Sequence, residues 1–279
     1  MSRRGAGSGG GFLPWLLFLL ACLRVGAGGQ TGAGRQVAAP RNLMVFAAAS
    51  LTEAFDALAD EFEAGHAGVT VLRNYASSST LAAQLLAGEV ADVFASANSN
   101  QMAPLVEAGL TAPGGPAIFA ANRLVVIVPA ENPAGVGSCE DLGRLSLALV
   151  LASPGVPVRE YADQMATRVA ATRGEAFRER FYANLVSEEA NVRQVAAKVA
   201  LGEADAGIVY STDVTRDIAQ WVRRFEVPDR FNVIATYPIA ALAQAPQPAL
   251  AAEFVQFVLG ADGRRDLARY GFGEPPQER

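Results

Sequence analysis

Four small hydroxyls, Ser77, Ser78, Ser79 and Thr80, stand together in "YASSSTLAAQLL" between an aromatic and an apolar pattern of helical spacing, with no Lys, Arg or His among them. One hydroxyl suffices to cap a helix, so the other three face water, a partner or a ligand. Ser50 opens "SLTE", a capping-box pattern with Glu53 three residues on. A serine that accepts a helix N–H keeps a hydrogen to donate elsewhere. Asn191 reads as the cap of another helix, which makes Val192 its first residue, with an N–H unpartnered inside the helix. Tyr210 ends the apolar run "AGIVY", where a phenol needs a partner for its O–H. Hydroxyl donors, free helix amides and the positive end of a helix dipole together make an anion site that contains no cation.

These residues fall where strands hand over to helices. "LMVFAAA" (43–49) reads as a buried strand, and Leu51, Phe55, Leu58 and Phe62 recur at the spacing of a helix face. "VTVLRNYA" (69–76) is the next strand, 79–88 a helix stopped by Gly88, and 91–96 a further strand. This alternation predicts a parallel sheet covered on both faces. The run 122–135 predicts passage into a second lobe with a strand in 145–153, helices over 159–174 and 175–185, and a helix, glycine, strand sequence over 191–214. Pro238 inside the strand-like run 231–244 predicts an edge or crossing segment, and 249–272 reads as two helices split by glycine. The expected fold class is therefore α/β, with two lobes, a ligand cleft between them and two crossover hinge segments at 121–124 and 235–241. Lobe I takes residues 41–121 with 241–279, and lobe II takes 122–240. Ligands in open α/β sheets sit beyond the carboxyl ends of strands, where the polar junctions fall.

A chain of 279 residues, 51% hydrophobic and 18% charged, has the core of one large or two medium domains. Its net charge of -5 offers no basic face for nucleic acid. One His and two Cys argue against metal sites built from several such ligands, and His66 reads as a surface loop residue. Arg3 and Arg4 precede the apolar run "FLPWLLFLLACL", which is short for a bilayer span and reads as an export signal. Residues 1–40 are thus an export signal and flexible tether, cut near Ala27, or at Cys22 if that residue is the acylated start of a lipoprotein. Either cut leaves Cys139 without an intrachain disulfide partner.

The stretches "VFAAASLTEAF", "ASSSTLAAQLLAGEVADVFASAN", "NRLVVIVP" and "NVRQVAAKVALGEADAGIVYSTDV" resemble the periplasmic molybdate-binding proteins of ABC importers, which have the type II periplasmic binding protein fold. The likeness runs from about Leu43 to Phe272. It implies molybdate or tungstate as ligand, with no cofactor and no bare metal cation: molybdenum is bound as its oxyanion. Carried over by motif, the ligand residues are Ser50, Ser78, Val158, Val192 and Tyr210. Val158 comes from "GVPVREYA", where this chain has Val158 and Arg159 in place of a small Ala-Gly pair; Arg159 reads as a solvated helix residue or as a charge near the cleft. The resemblance further implies a monomeric, non-enzymatic receptor, exported to the periplasm or anchored as a lipoprotein, that serves an ABC permease and its ATPase. A sulfate or other small-oxyanion receptor is the alternative. A secreted serine hydrolase is a further reading from the serine-rich turns, but no G-x-S-x-G elbow occurs and the single His lies away from them.

Overall fold

The computed structural model describes residues 41–276; the expected signal, its cut and Cys22 lie outside the described residues. In the first sheet β1 (Arg41–Ala48) runs parallel to β2 (Val69–Ala76) and β3 (Val93–Ala95), and β10 (Ala235–Ala241) and β4 (Ala117–Asn122) add antiparallel in the order β2-β1-β3-β10-β4. The second sheet has the order β7-β6-β8-β5-β9, with β6 (Leu149–Ala152) parallel to β7 (Leu185–Glu189) and β8 (Ala206–Tyr210). β5 (Leu124–Pro129) runs antiparallel to β8 and to β9 (Val222–Glu226). Both sheets are thus mixed, where the alternation predicted a parallel one. The strand-helix-strand units are parallel as expected, and the reversed strands in each sheet include those that carry the chain between lobes.

Helices α1 (Thr52–Gly65), α2 (Ser78–Leu86) and α3 (Ser99–Glu107) follow β1, β2 and β3 in turn. In the second lobe α4 (Pro157–Arg173) and α5 (Glu175–Ala183) follow β6, and α6 (Val192–Ala200) follows β7. α7 (Pro248–Leu259) and α8 (Ala261–Arg269) close the chain against the first lobe, where Gly273 bridges to Ala121. α1 forms because Ala54, Phe55, Leu58, Ala59 and Phe62 share one face, and that face is buried. Phe55 and Phe62 both pack edge-on to Phe254 of α7, with centroids 6.3 and 5.1 Å apart. Full burial of each such ring stabilises the lobe by roughly 1.5–3 kcal/mol. In the second lobe α6 lies so close to β8 that a Cβ at Gly207 would stand 3.0 Å from Val195 and Val199.

The chain crosses between sheets twice. Only Arg123 separates β4 from β5, where a hinge was expected. The return crossing lies between Glu226 and Ala235, because β10, expected in lobe II and at its hinge, pairs with β3 and β4 of the first sheet. Pro238 therefore stands inside a sheet and not at an edge. The register shifts between Tyr237 and Pro238, and this irregularity accommodates the missing N–H.

Candidate functional site

The carboxyl ends of parallel strands in both sheets meet around one small cavity. Ser50 follows β1, Ser78 follows β2, Val158 and Val192 begin α4 and α6, and Tyr210 ends β8; all five line it. The cavity is small, about 10 Å³, close to the space that one water needs. Twelve residues line the cavity and none carries a charged side chain. Ala48, Ala49 and Ala97 among them leave backbone close to the enclosed space.

Local sequence explains each donor. Ser77 is the cap of α2: its Oγ accepts Thr80 N–H at 3.1 Å and bonds the hydroxyls of Ser79 and Thr80. The crowding of hydroxyls is thereby largely absorbed at the cap, and Ser78 alone of the other three lines the cavity. Ser78 Oγ accepts Ala97 N–H at 2.9 Å, which leaves its own hydrogen to donate. At α4, Gly155 (φ 85°) turns the chain and Pro157 occupies the first helical position, so the N–H of Val158 is the first the helix offers. Asn191 caps α6 as expected, its Oδ1 accepting from Arg193 and Gln194 and leaving Val192 N–H without a helix partner. The starts of three helices thus face one point, and their dipoles favour negative charge there.

Ser50 keeps its place in the cavity lining but does not cap a helix. It lies in a 3-10 turn (Ala49–Leu51), and the cap of α1 is Leu51 with no side-chain bond, so no capping box forms with Glu53. The Ser50 hydroxyl instead meets the Tyr237 hydroxyl at 3.2 Å. Thr52 Oγ1 donates to the carbonyl of Ala49 at 2.8 Å. Glu53 turns to the other lobe and pairs with Arg193.

Tyr210 is 1% exposed, and its hydroxyl has no hydrogen-bond partner among the described residues. Burial, with the neighbouring Tyr237 and Tyr161 hydroxyls, holds its pKa well above the ordinary tyrosine value, so the group is a neutral O–H donor at physiological pH. A buried orphan hydroxyl costs free energy unless something in the cavity completes it. Tyr210→Phe should therefore leave the unliganded melting temperature unchanged or slightly raised while weakening oxyanion binding by roughly tenfold, as read by calorimetry and thermal melts on one preparation.

Arg159 is not solvated, and it is not among the residues that line the cavity. It is 9% exposed and bonds Asp163, Glu188 and the carbonyl of Ala152, so two carboxylates neutralise it. His66 ends α1 with its ring stacked on Phe62 at 3.9 Å and Nδ1 2.7 Å from the Phe62 carbonyl oxygen. Bound there, it does not line the cavity and is not the partner of any serine that does.

Contacts between lobes flank the cavity on two sides. Arg193 of α6 donates from Nε to the carbonyl of Ala49 at 3.1 Å and pairs with Glu53. Asp213 Oδ1 lies 3.2 Å from the same Nε, but that N–H points at Ala49, so the carboxylate gains the charge without the hydrogen bond. On the other side Glu160 of α4 accepts from Asn98 and Asn100 at 2.9 and 2.8 Å, and Gln101 donates to Gly155. The sequence reading missed Arg193, Asp213, Glu160, Asn122 and Tyr237; for Tyr237 a signal existed, a lone phenol in the apolar strand "ATYPIAA".

A sequence profile of bacterial extracellular solute-binding proteins matches residues 43–273. The molybdate-binding protein ModA of Mycobacterium bovis is 42% identical over 235 residues, covering 84% of this chain and 85% of that one. The chain belongs to the ModA family of solute-binding proteins. Escherichia coli ModA is 30% identical over 250 residues, 86% of this chain and 92% of the relative. Among solved structures, the periplasmic molybdate-binding protein of Azotobacter vinelandii superposes with a TM-score of 0.71 at 20% identity, covering 84% and 100% of the two chains, a likeness of fold. The two mixed sheets described above are the ModA fold, the type II periplasmic binding architecture with its cleft between lobes.

Proposed function

We propose that this protein captures molybdate or tungstate outside the cytoplasm and delivers it to an ABC permease driven by an ATPase. The carrying observation is the small, uncharged cavity in which Ser50 and Ser78 from one lobe face Val158, Val192 and the unpartnered Tyr210 hydroxyl from the other. Each neutral donor to a charged acceptor contributes roughly 1.5–3 kcal/mol, so five of them can hold a dianion without a counter-ion. The named specificity of the ModA relatives supports the same cargo. No lining residue carries a carboxylate or an imidazole, a donor set that suits a fully deprotonated tetrahedral anion over one that must itself donate a proton.

Contacts made only when both lobes grip the ligand favour the closed state. We assign the sheet of β1 to β4 and β10, with α1 to α3, α7 and α8, to lobe I, and residues 124–226 to lobe II, with hinges at Arg123 and in 227–234. The chain acts as a monomeric receptor with molybdenum held as its oxyanion and no resident cofactor. Export follows from the leader reading of residues 1–40 and is consistent with an extracellular family. Among the described residues no helix is long and apolar enough to cross a membrane.

Titration calorimetry with molybdate, tungstate and sulfate tests the proposal. Molybdate at 100 times its Kd should also raise the unfolding free energy by about 2.7 kcal/mol. Heat from sulfate alone would reassign the cargo, and no heat from either metal oxyanion would overturn the reading.

A further inference from the structure

We infer that Tyr237, oriented by Asn122, is a positioning residue that forces the Ser50 hydroxyl to act as a donor into the cavity. The inference rests on the oxyanion reading above and concerns the same site. Asn122 ends β4 at the first crossing between lobes. Its Oδ1 accepts the backbone N–H of Arg123 at 2.9 Å, and a backbone N–H can only donate, so the amide orientation is fixed. Its Nδ2 therefore points the other way, donating to Thr212 Oγ1 at 2.9 Å and to the Tyr237 hydroxyl oxygen at 3.3 Å.

Tyr237 is fully buried, and its oxygen receives the Asn122 hydrogen. Two directions remain for the 3.2 Å contact with Ser50. Were Ser50 the donor, the Tyr237 hydrogen would be left without an acceptor in the interior, at the cost of an unmade hydrogen bond. With Tyr237 as donor, every hydrogen in the chain from Asn122 to Tyr237 to Ser50 has an acceptor, and the one left over belongs to Ser50, which lines the cavity. An anion there completes the series. Successive donors polarise one another in a buried chain, which strengthens the last O–H. The same Asn122 also accepts from Ser211 Oγ at 3.0 Å, just beyond β8. One amide at the crossing thus joins a ligand-facing serine of the first lobe to the segment that follows Tyr210 in the second.

The test is a double-mutant cycle read by molybdate calorimetry on the whole exported chain. Tyr237→Phe keeps the ring and should weaken molybdate binding by roughly tenfold. In a Ser50→Ala background the same change should cost no further affinity, because its effect passes through the Ser50 hydroxyl. A merely structural Tyr237 would weaken both backgrounds equally. Asn122→Asp gives an independent arm: an acceptor in place of the amide draws the Tyr237 hydrogen away from Ser50, and its affinity loss should shrink in the Ser50→Ala background. Wild-type affinity in Tyr237→Phe, or additive losses in either cycle, would overturn the inference. A wild-type chain that binds neither molybdate nor tungstate would instead overturn the functional reading.

Discussion

Ser78→Ala should bind molybdate about 10 to 100 times more weakly than the parent and melt at a lower temperature. Two separate losses combine. The hydroxyl hydrogen that faces the cavity disappears, which removes one bond to a charged acceptor. The oxygen that accepts Ala97 N–H at 2.9 Å also disappears, and a buried amide left unpaired costs about 1–3 kcal/mol of stability. Ser79→Ala is the matched control. Its hydroxyl bonds only the Ser77 cap and does not line the cavity, so affinity should stay within about twofold of the parent, since a partly exposed hydroxyl bond carries little net free energy. Calorimetry and a thermal melt on the three proteins decide the matter. Equal affinities for Ser78→Ala and the parent would remove the second helix start from the site.

The largest stability effect is expected at Arg193. Arg193→Met should lower the unfolding free energy by about 3–5 kcal/mol, the usual cost of stripping a buried ion of its partner. Asp213 is the reason: it is 0% exposed, and Arg193 is the cation beside it. The pair with Glu53 adds little by itself, because both side chains are partly in water. Burial lifts the Asp213 pKa from 3.8 to about 6, against the lowering influence of Arg193 and of the Tyr210 N–H that donates to Oδ2 at 3.1 Å. The native state therefore binds more protons than the unfolded chain between pH 4 and 6. The contribution of this group to stability is complete below about pH 4 and is lost as pH rises through about 6. Without Arg193 the carboxyl climbs further, so the variant should lose more stability between pH 5 and 7.5 than the parent does. Urea unfolding at both pH values measures this, and adding Asp213→Asn should recover most of the loss at pH 7.5. A pH-independent deficit would place the cost in packing and not in the stranded charge. Because Arg193 also bonds Ala49 and Glu53 across the cleft, its loss should weaken molybdate binding as well.

Much of this architecture was legible in the residues. The strand 69–76 and the helix start at Val192 emerge from apolar spacing and caps, and the helix read as 79–88 begins one residue earlier, at Ser78, because those segments are two-faced and bounded by clear start signals. The strands Leu185–Glu189 and Val222–Glu226 gave no such pattern: "LVSEE" and "VRRFE" lie at opposite edges of their sheet and are largely polar, so alternation is faint. Pro238 misled, since a register shift hides its missing donor inside the sheet. The candidate site was readable from local pattern at the helix starts that carry Ser78 and Val192, whereas Val158, also at a helix start, came only with the family resemblance. The site was unreadable where it depends on partners far apart in the chain, as with Ser50 and Tyr237, 187 residues away. Arg159 shows the same limit: nothing near it in sequence announces Glu188, which helps to bury it.

A binding chamber lined without a single charge has a kinetic corollary. The whole chain carries a formal charge of -5, and more negative still once the four arginines of residues 1–40 are set aside. An approaching dianion thus meets net repulsion at long range and feels attraction only when it comes within reach of the helix starts. Dissolved ions damp that repulsion over a Debye length of about 8 Å at physiological strength, while short hydrogen bonds inside the closed jaw are shielded from them. Ambient salt thus hastens encounter and leaves residence time untouched, the reverse of a receptor that draws its cargo in with basic side chains.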